Sequence, residues 1–594
     1  MKEKLKKFKG TAIILLSIFV TTALNLNPDP NVEINYSFSG NSIIIVAYFL
    51  LTYWLLKKVF SVKNKRLKIC TSILAAIFAV FEVVGSSINA YLNLDGIVLN
   101  QIAILKTLIR LVGYFTIIYA ILTNIFLKLE EKEFFKGKSK WFTNNKKTFF
   151  ITWGIILASW IPYFLNYYPG VITPDSMGQI CQSLGINSLT NHHPVFHTFL
   201  ISIAMNIGKL IGNYNVGIAI YSLIQMIVVS GIFSFAIYYM AKRKVDVRFR
   251  LLTLAFYAFY PVNALYSFTM WKDIPFAACM LIFTIMMTEL ATNSEHFMKS
   301  KLKNGLLVLS MILVILFRNN GLYVVLLTLP FMFIFLRKYY KKLIAITCIV
   351  VAFYAIWKGA VFSILNIKEG STREALSIPL QQFARISKNH SDTLTDDEKA
   401  RIYKYLPVEN LGDLYYPQIS DRVKNNFDDE AFKEDKIGFI KLWIKLCVKY
   451  PRAAVESFLC NCYGYWYPEG VHWVVGREVY QSDQEKQQAL GLKDTPLLDL
   501  QGLEEWDSLL DRRDLPLNSM LYSIGFAFWV MLTMFTYAMY KKKYRLLLIY
   551  IPIGVLWLTC LASPVFGEFR YIYSMFTCLP LLMGIHFKEE QENK

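Results

Sequence analysis

Three kinds of residue in this sequence are suited to chemistry: a carboxylate, a group of imidazoles and a set of isolated cations. The carboxylate is Asp175, in the stretch YYPGVITPDSMGQI at 167–180, where a short turn of proline and glycine can aim it. Beside a dry interface a carboxylate can act as a general base, taking the proton from an attacking hydroxyl. Pro-Asp-Ser is equally a helix start, with Ser176 as a supporting neighbour. No second carboxylate lies nearby in sequence, which argues against a glycosidase pair unless a distant segment supplies the partner. The imidazoles are His192, His193 and His197, crowded into HHPVFH although the chain has only seven histidines. His193 and His197 are one helical turn apart, a spacing that can serve a metal. The glutamate of an H-E-x-x-H motif is missing and Pro194 intervenes, so the preferred reading is a polar patch in which His192 or His193 donates a hydrogen bond to substrate. A divalent metal is left open.

The cations are Lys272 in FTMWKDIPF, Arg318 in FRNNG and Arg570 in SPVFGEFRY. Each stands at the end of an apolar run with little other charge around it. Ionisable groups at membrane depth are costly and usually have a partner or a task. Together the three are suited to a phosphate or pyrophosphate headgroup, arginine as a forked partner and lysine as a point charge. Asp273 and Glu568 support them, and can equally be their salt-bridge partners.

The elements that must position these residues are apolar. The chain has 594 residues, is 55% hydrophobic and 15% aromatic, and carries a formal net charge of +20. Its basic residues fall in short clusters beside apolar runs (MKEKLKKFKG, KKVFSVKNKRLK, KGKSKWFTNNKK, AKRKVDVRFR, RKYYKK, KKKYR), as cytoplasmic loops do under the positive-inside rule. That pattern places the positive charge on the bilayer and excludes nucleic acid as the reason for it. The N-terminal MKEKLKKFKG and the apolar run after it lack a convincing cleavage site and read as a retained first span. The nine cysteines are scattered, and Cys460 with Cys462 makes one C-x-C with no second pair.

The expected fold is an all-α polytopic membrane protein of about 14 spans. They lie at roughly 11–26, 42–60, 69–90, 102–127, 148–166, 214–240, 249–267, 272–292, 304–318, 320–336, 342–366, 518–540, 545–562 and 570–587. The run 195–211 is left out of this count. Thr198, Ser202, Asn206 and Lys209 draw a polar stripe along it, which fits an amphipathic juxtamembrane helix or one lining a cavity. With that run at the interface, nearly all basic loops and both termini fall in the cytoplasm. The outer face then receives the loop 167–213, the three cation-bearing turns and an extracytoplasmic domain at 367–516. The implied division is an N-terminal four-span region (1–147), a transmembrane module (148–366), the outer domain and a C-terminal three-span region (517–594). Within the outer domain, Tyr463, Tyr465, Trp466, Tyr467 and Trp473 form an aromatic run that suits an interfacial belt or a sugar-stacking platform.

This layout resembles the GT-C superfamily of integral-membrane glycosyltransferases, which use polyprenyl-phosphate-linked sugars. In that superfamily an acidic residue of the first outer loop is the catalytic base and a juxtamembrane helix follows. Asp175 in TPDS matches the base, HHPVFHTFLI resembles the entry to the helix, and MWKDIPF resembles a later outer turn with an acidic residue. The similarity covers roughly 148–366. Four extra spans precede it, and a single Asp replaces the D-x-D pair. The chain also resembles a bacterial multi-span family of unknown function with PGxxTPDS, HHP, WKD and GEFRY strings. The resemblance implies transfer of a sugar from a polyprenyl phosphate to an envelope glycan, lipid or protein acceptor at the outer face of the cell membrane. Transport or flipping of an amphipathic envelope precursor is the alternative, and a glycan polymerase or ligase is chemically close to the first reading.

Overall fold

The computed structural model describes residues 2–31, 42–131, 146–470, 484–493, 495–500, 502, 515–562, 565 and 567–587. Among them the chain is helical, and extended pairing is limited to isolated bridges such as Val171 with Thr269 and Thr190 with Lys368. Six helices are long and apolar enough to cross a membrane: Lys65–Tyr91, Gln101–Glu131, Lys146–Asn166, Tyr214–Lys242, Asp273–Thr292 and the continuous segment Arg337–Ile364. An all-α membrane protein is what this composition of helices describes.

Several of the fourteen expected spans are shorter or broken. The run expected at 249–267 divides at Tyr260 into Val247–Phe259 and Pro261–Ser267, because Pro261 has no N–H to continue the ladder. The run at 545–562 begins as a 3₁₀ turn and becomes α-helical only over Ile551–Ala562. The helix Phe569–Gly584 has 16 residues. Among the described residues six helices therefore have the length of a span, and fourteen are not shown.

The helix Asp273–Thr292 is the axis of the bundle. Of its apolar window 78% is buried, against 11% for Arg337–Ile364 at the periphery. It packs on Lys301–Phe317, Phe569–Gly584 and Tyr214–Lys242. The helix Val195–Ile211 lies against Tyr214–Lys242, its backbone brought close at Gly208 and Gly217, where a Cβ on Gly208 would meet the Gly217 nitrogen at 2.9 Å. Its 17 residues span about 26 Å, short of the roughly 30 Å hydrocarbon core. The expected polar stripe is divided between environments: Thr198 is buried against protein, whereas Asn206 and Lys209 are exposed beside Ile203 and Leu210.

A second, separate hydrophobic core runs from Leu380 to Ala453. Just after it the aromatic run turns inward. Tyr463, Tyr465, Trp466 and Tyr467 are at most 3% exposed and belong to the main core, so they form neither an interfacial belt nor an open platform. Their polar atoms act as brackets. The Tyr465 hydroxyl donates to the Val565 carbonyl (2.6 Å), Trp557 Nε1 donates to the Tyr465 carbonyl (2.9 Å) and Trp529 Nε1 to that of Trp466 (2.8 Å). Trp473 lies outside the described residues.

Candidate functional site

Four helix ends converge on the charged residues singled out by sequence. Asp175 is in the first turn of Pro174–Ser183. Lys272 caps the start of Asp273–Thr292, Arg318 caps the end of Lys301–Phe317, and Arg570 follows the N-cap Glu568 of Phe569–Gly584. Three of these ends are helix N-termini, whose unpaired N–H groups and dipoles favour negative charge.

Local sequence explains the first of them. Thr173 and Ser176 make a capping box, with the Thr173 N–H donating to Ser176 Oγ (2.6 Å) and the Ser176 N–H donating to Thr173 Oγ1 (3.3 Å). Ser176 therefore fixes the helix start, and Pro174 at its first position needs no partner for its nitrogen. The preceding turn is brought against the rest of the site by Gly170, at φ +134°, and by the Val171–Thr269 bridge. A Cβ at Gly170 would lie 2.1 Å from Ser222 Oγ, so only glycine allows this approach.

The charges form two linked groups. In the outer one, Lys272 Nζ and Arg570 Nη1 both donate to Asp175 Oδ2, at 2.8 and 2.9 Å. Asp175 Oδ1 takes no hydrogen bond among the described residues. Lys272 Nζ also lies 3.1 Å from His193 Nδ1. An ammonium has only donors, so Nδ1 accepts and the imidazole carries its hydrogen on Nε2. Arg570 lies against the rings of Trp271 (4.8 Å) and Tyr571 (5.0 Å), and its Nε is 3.3 Å from Glu568 Oε1. In the inner group, Arg318 Nη1 is 3.2 Å from Asp273 Oδ1 and donates to the Tyr571 carbonyl at 2.8 Å, with its guanidinium 4.4 Å from the Tyr571 ring. Both partners are buried, the side chains 8% and 0% exposed.

Burial and charge oppose each other at Asp175. Burial raises its pKa, but Lys272 and then Arg570 overcome it and hold the carboxyl well below the usual range. Burial, then the charge of Lys272, pushes His193 down to about 2, so the ring is neutral. Burial pushes Glu568 up to about 7 against the pull of Arg570.

Sequence reasoning named Asp175, Lys272, Arg570 and His193, and the fold brings these four together. Arg318 lies with Asp273 behind them. His192 is exposed and stacks edge-on against His193, the ring centres 4.5 Å apart. His197 turns away from His193: its Nδ1 is 2.9 Å from Gln179 Oε1 and its Nε2 2.6 Å from the Tyr221 hydroxyl. Tyr221 continues to Gln225 (3.0 Å), whose amide donates to the Ser267 and Thr269 carbonyls. His197 thus belongs to a buried chain that braces the turn carrying Lys272. The two histidines do not form a metal pair, and among the described residues no group of three His, Cys, Asp or Glu could hold a metal. The cationic surroundings of Asp175 do not fit a divalent ion either.

Trp271, Tyr571, Gln179, Tyr221 and Gln225 were not apparent from sequence. The two aromatics adjoin cations already noted, which was the available signal; the others carry none.

No curated protein and no solved structure matches this chain. None of the comparisons links it to the GT-C superfamily. A family model covering residues 185–594 does match; it takes in the HHP, WKD and GEFRY strings and begins just after PGVITPDS. The chain belongs to this family of unknown function, DUF6020.

Proposed function

We propose that the chain is a membrane glycosyltransferase that moves a sugar from a polyprenyl phosphate to an envelope glycan, lipid or protein acceptor. The observation that supports this reading is the junction of Asp175 with Lys272 and Arg570: one carboxylate and two cations, drawn from three distant segments to one end of the apolar bundle. In this reading the lipid tail lies among the helices and its phosphate meets the cations. Asp175 Oδ1 is directed to an acceptor hydroxyl. In transfer, the acceptor oxygen bonds to the anomeric carbon, its proton passes to Asp175, and the bond from that carbon to the phosphate oxygen breaks with both electrons on the phosphate. Lys272 and Arg570 stabilise that developing charge, with Arg318 adding to the field from behind. His193 offers its Nε2–H to an oxygen of either substrate.

On this proposal both termini lie in the cytoplasm and the site on the extracytoplasmic face, an orientation that the basic clusters support. In this reading 148–366 with the C-terminal spans (517–594) forms the catalytic module, the loop 167–213 carries the base, and the region from 367 to 516 covers the outer face.

The test is turnover of the purified protein in nanodiscs with a panel of polyprenyl-phosphate sugars, wild type beside Asp175→Asn. Release of polyprenyl phosphate that the mutation abolishes, with folding unchanged, supports the transferase. Binding of the lipids by both proteins with no turnover of any donor replaces it with a carrier or flippase.

A further inference from the structure

We propose that Asp175 stands in for the substrate phosphate in the resting site, and that an arriving phosphate takes Lys272 and Arg570 from it and so turns it into the base. This deepens the transferase reading and rests on it.

The geometry has three parts. Both cations end on the same oxygen, Oδ2, at 2.8 and 2.9 Å, as they would on a phosphate oxygen. The cations are also anchored independently of Asp175. Arg570 is held by the rings of Trp271 and Tyr571 and by Glu568, and Lys272 by His193 Nδ1 at 3.1 Å. They stay in place when the carboxylate leaves. Finally, Asp175, Lys272 and Arg570 are the more open side chains of the cluster, 24%, 11% and 14% exposed, while Asp273 and Glu568 are 0% and 6% exposed. A ligand reaches the outer group first, and three helix N-termini favour its negative charge.

A phosphodiester donor matches the single charge of a carboxylate but offers more oxygens, and the monoester that leaves carries more charge, so the phosphate draws the lysine and the arginine fork to itself. Asp175 then keeps its burial, loses two compensating charges and gains a negative neighbour. Each of these changes favours its protonated form, with Glu568 and Asp273 acting in the same direction from behind. The carboxylate is a weak base until the donor is seated. The acceptor proton then goes to Asp175 as the new carbon–oxygen bond forms, and the phosphate leaves onto cations it already holds.

The experiment is calorimetric titration of the full-length protein in nanodiscs with polyprenyl phosphate lacking a sugar, in two buffers of different ionisation heat near neutral pH. Wild type is expected to take up more protons on binding than Asp175→Asn, once the protons released by the phosphate's own second ionisation (pKa about 6) are taken into account. Asp175→Asn is expected to bind at least ~10-fold more tightly and to lose the part of the uptake due to Asp175, because the competing internal anion is gone. Glu568 also responds to the Asp175 charge, so both proteins are titrated in a Glu568→Gln background, which leaves Asp175 as the source of the difference. Equal or weaker binding by the mutant, equal uptake, or no binding by wild type would overturn the proposal. Asp175→Ser, read in the same way, replaces Asp175→Asn if the latter does not fold. Inorganic phosphate forms a second arm: preference for the lipid assigns the site to a headgroup, equal binding assigns it to free phosphate, and the exchange holds in both. Exchange without transfer from any sugar donor would keep this inference and end the transferase reading.

Discussion

Lys272 Nζ donates to Asp175 Oδ2 across 2.8 Å although 97 residues separate the two in sequence. The contact joins the start of Asp273–Thr292, the most buried of the six spanning helices among the described residues, to the first turn of the short helix Pro174–Ser183. Removing either end leaves a charge that the fold has arranged to be matched.

For the proposed transfer reaction, Lys272→Met is accordingly expected to reduce the rate by roughly 10²-fold or more, since a preorganised cation beside a leaving phosphate commonly contributes that much. Lys272→Arg keeps the charge but loses the point-like fit between Asp175 and His193, and should recover part of the rate. Rates and lipid affinities measured together separate the two effects.

The Arg318–Asp273 pair predicts a different outcome, because it is buried and faces inward. Asp273→Asn or Arg318→Met alone should destabilise the protein by about 3–5 kcal/mol, leaving one buried charge unmatched. The double variant Arg318→Met/Asp273→Asn should recover much of that loss. Thermal unfolding of the four proteins in one detergent gives the cycle, and strictly additive losses would count against the pairing.

Gly170→Ala places a side chain at φ +134° and within 2.1 Å of Ser222 Oγ. Backbone strain and overlap together should cost about 2–4 kcal/mol and lower the melting temperature. Ser222→Ala added to it removes the hydroxyl contact but not the strain, so it should restore only part of the stability.

Glu568 supplies a pH signature. Its pKa in the folded protein is about 7, above the ordinary carboxyl value near 4.5, with burial as the main cause. Protonated Glu568 is therefore the better-tolerated form in the fold. Its contribution to stability is complete below about 4.5 and is lost as pH rises through 7. Glu568→Gln should flatten the decline in melting temperature between those values. Asp175 has the opposite sign: its pKa is depressed, so its contribution is present above the ordinary value and is lost only as pH falls through its own low one. Acidification should therefore lose the Asp175 contribution only after Glu568 has become protonated.

Much of this molecule was legible locally. Apolar runs flanked by lysine and arginine marked a membrane protein, because covering a bilayer and orienting in it depend on composition over a single segment. TPDS marked a helix start, and the capping box from Thr173 to Ser176 is there for the same local reason. The isolated cations Lys272, Arg318 and Arg570 stood out because charge at the end of an apolar helix needs a partner.

Which partner each has was decided by packing. Arg570 reaches Asp175 across 395 residues, while Arg318 takes Asp273, and nothing in the spacing of FRNNG or GEFRY distinguishes those two fates. His193 and His197, one turn apart in sequence, diverge because one faces Lys272 and the other a buried chain through Gln179 and Tyr221. The aromatic run at 463–467 has the composition of an interface, yet it is buried where the main core has room for its rings and carbonyls for its donors. Helix starts and apolar lengths follow from neighbours along the chain; the pairing of charges and the burial of rings follow from neighbours in space, which only the packed bundle supplies.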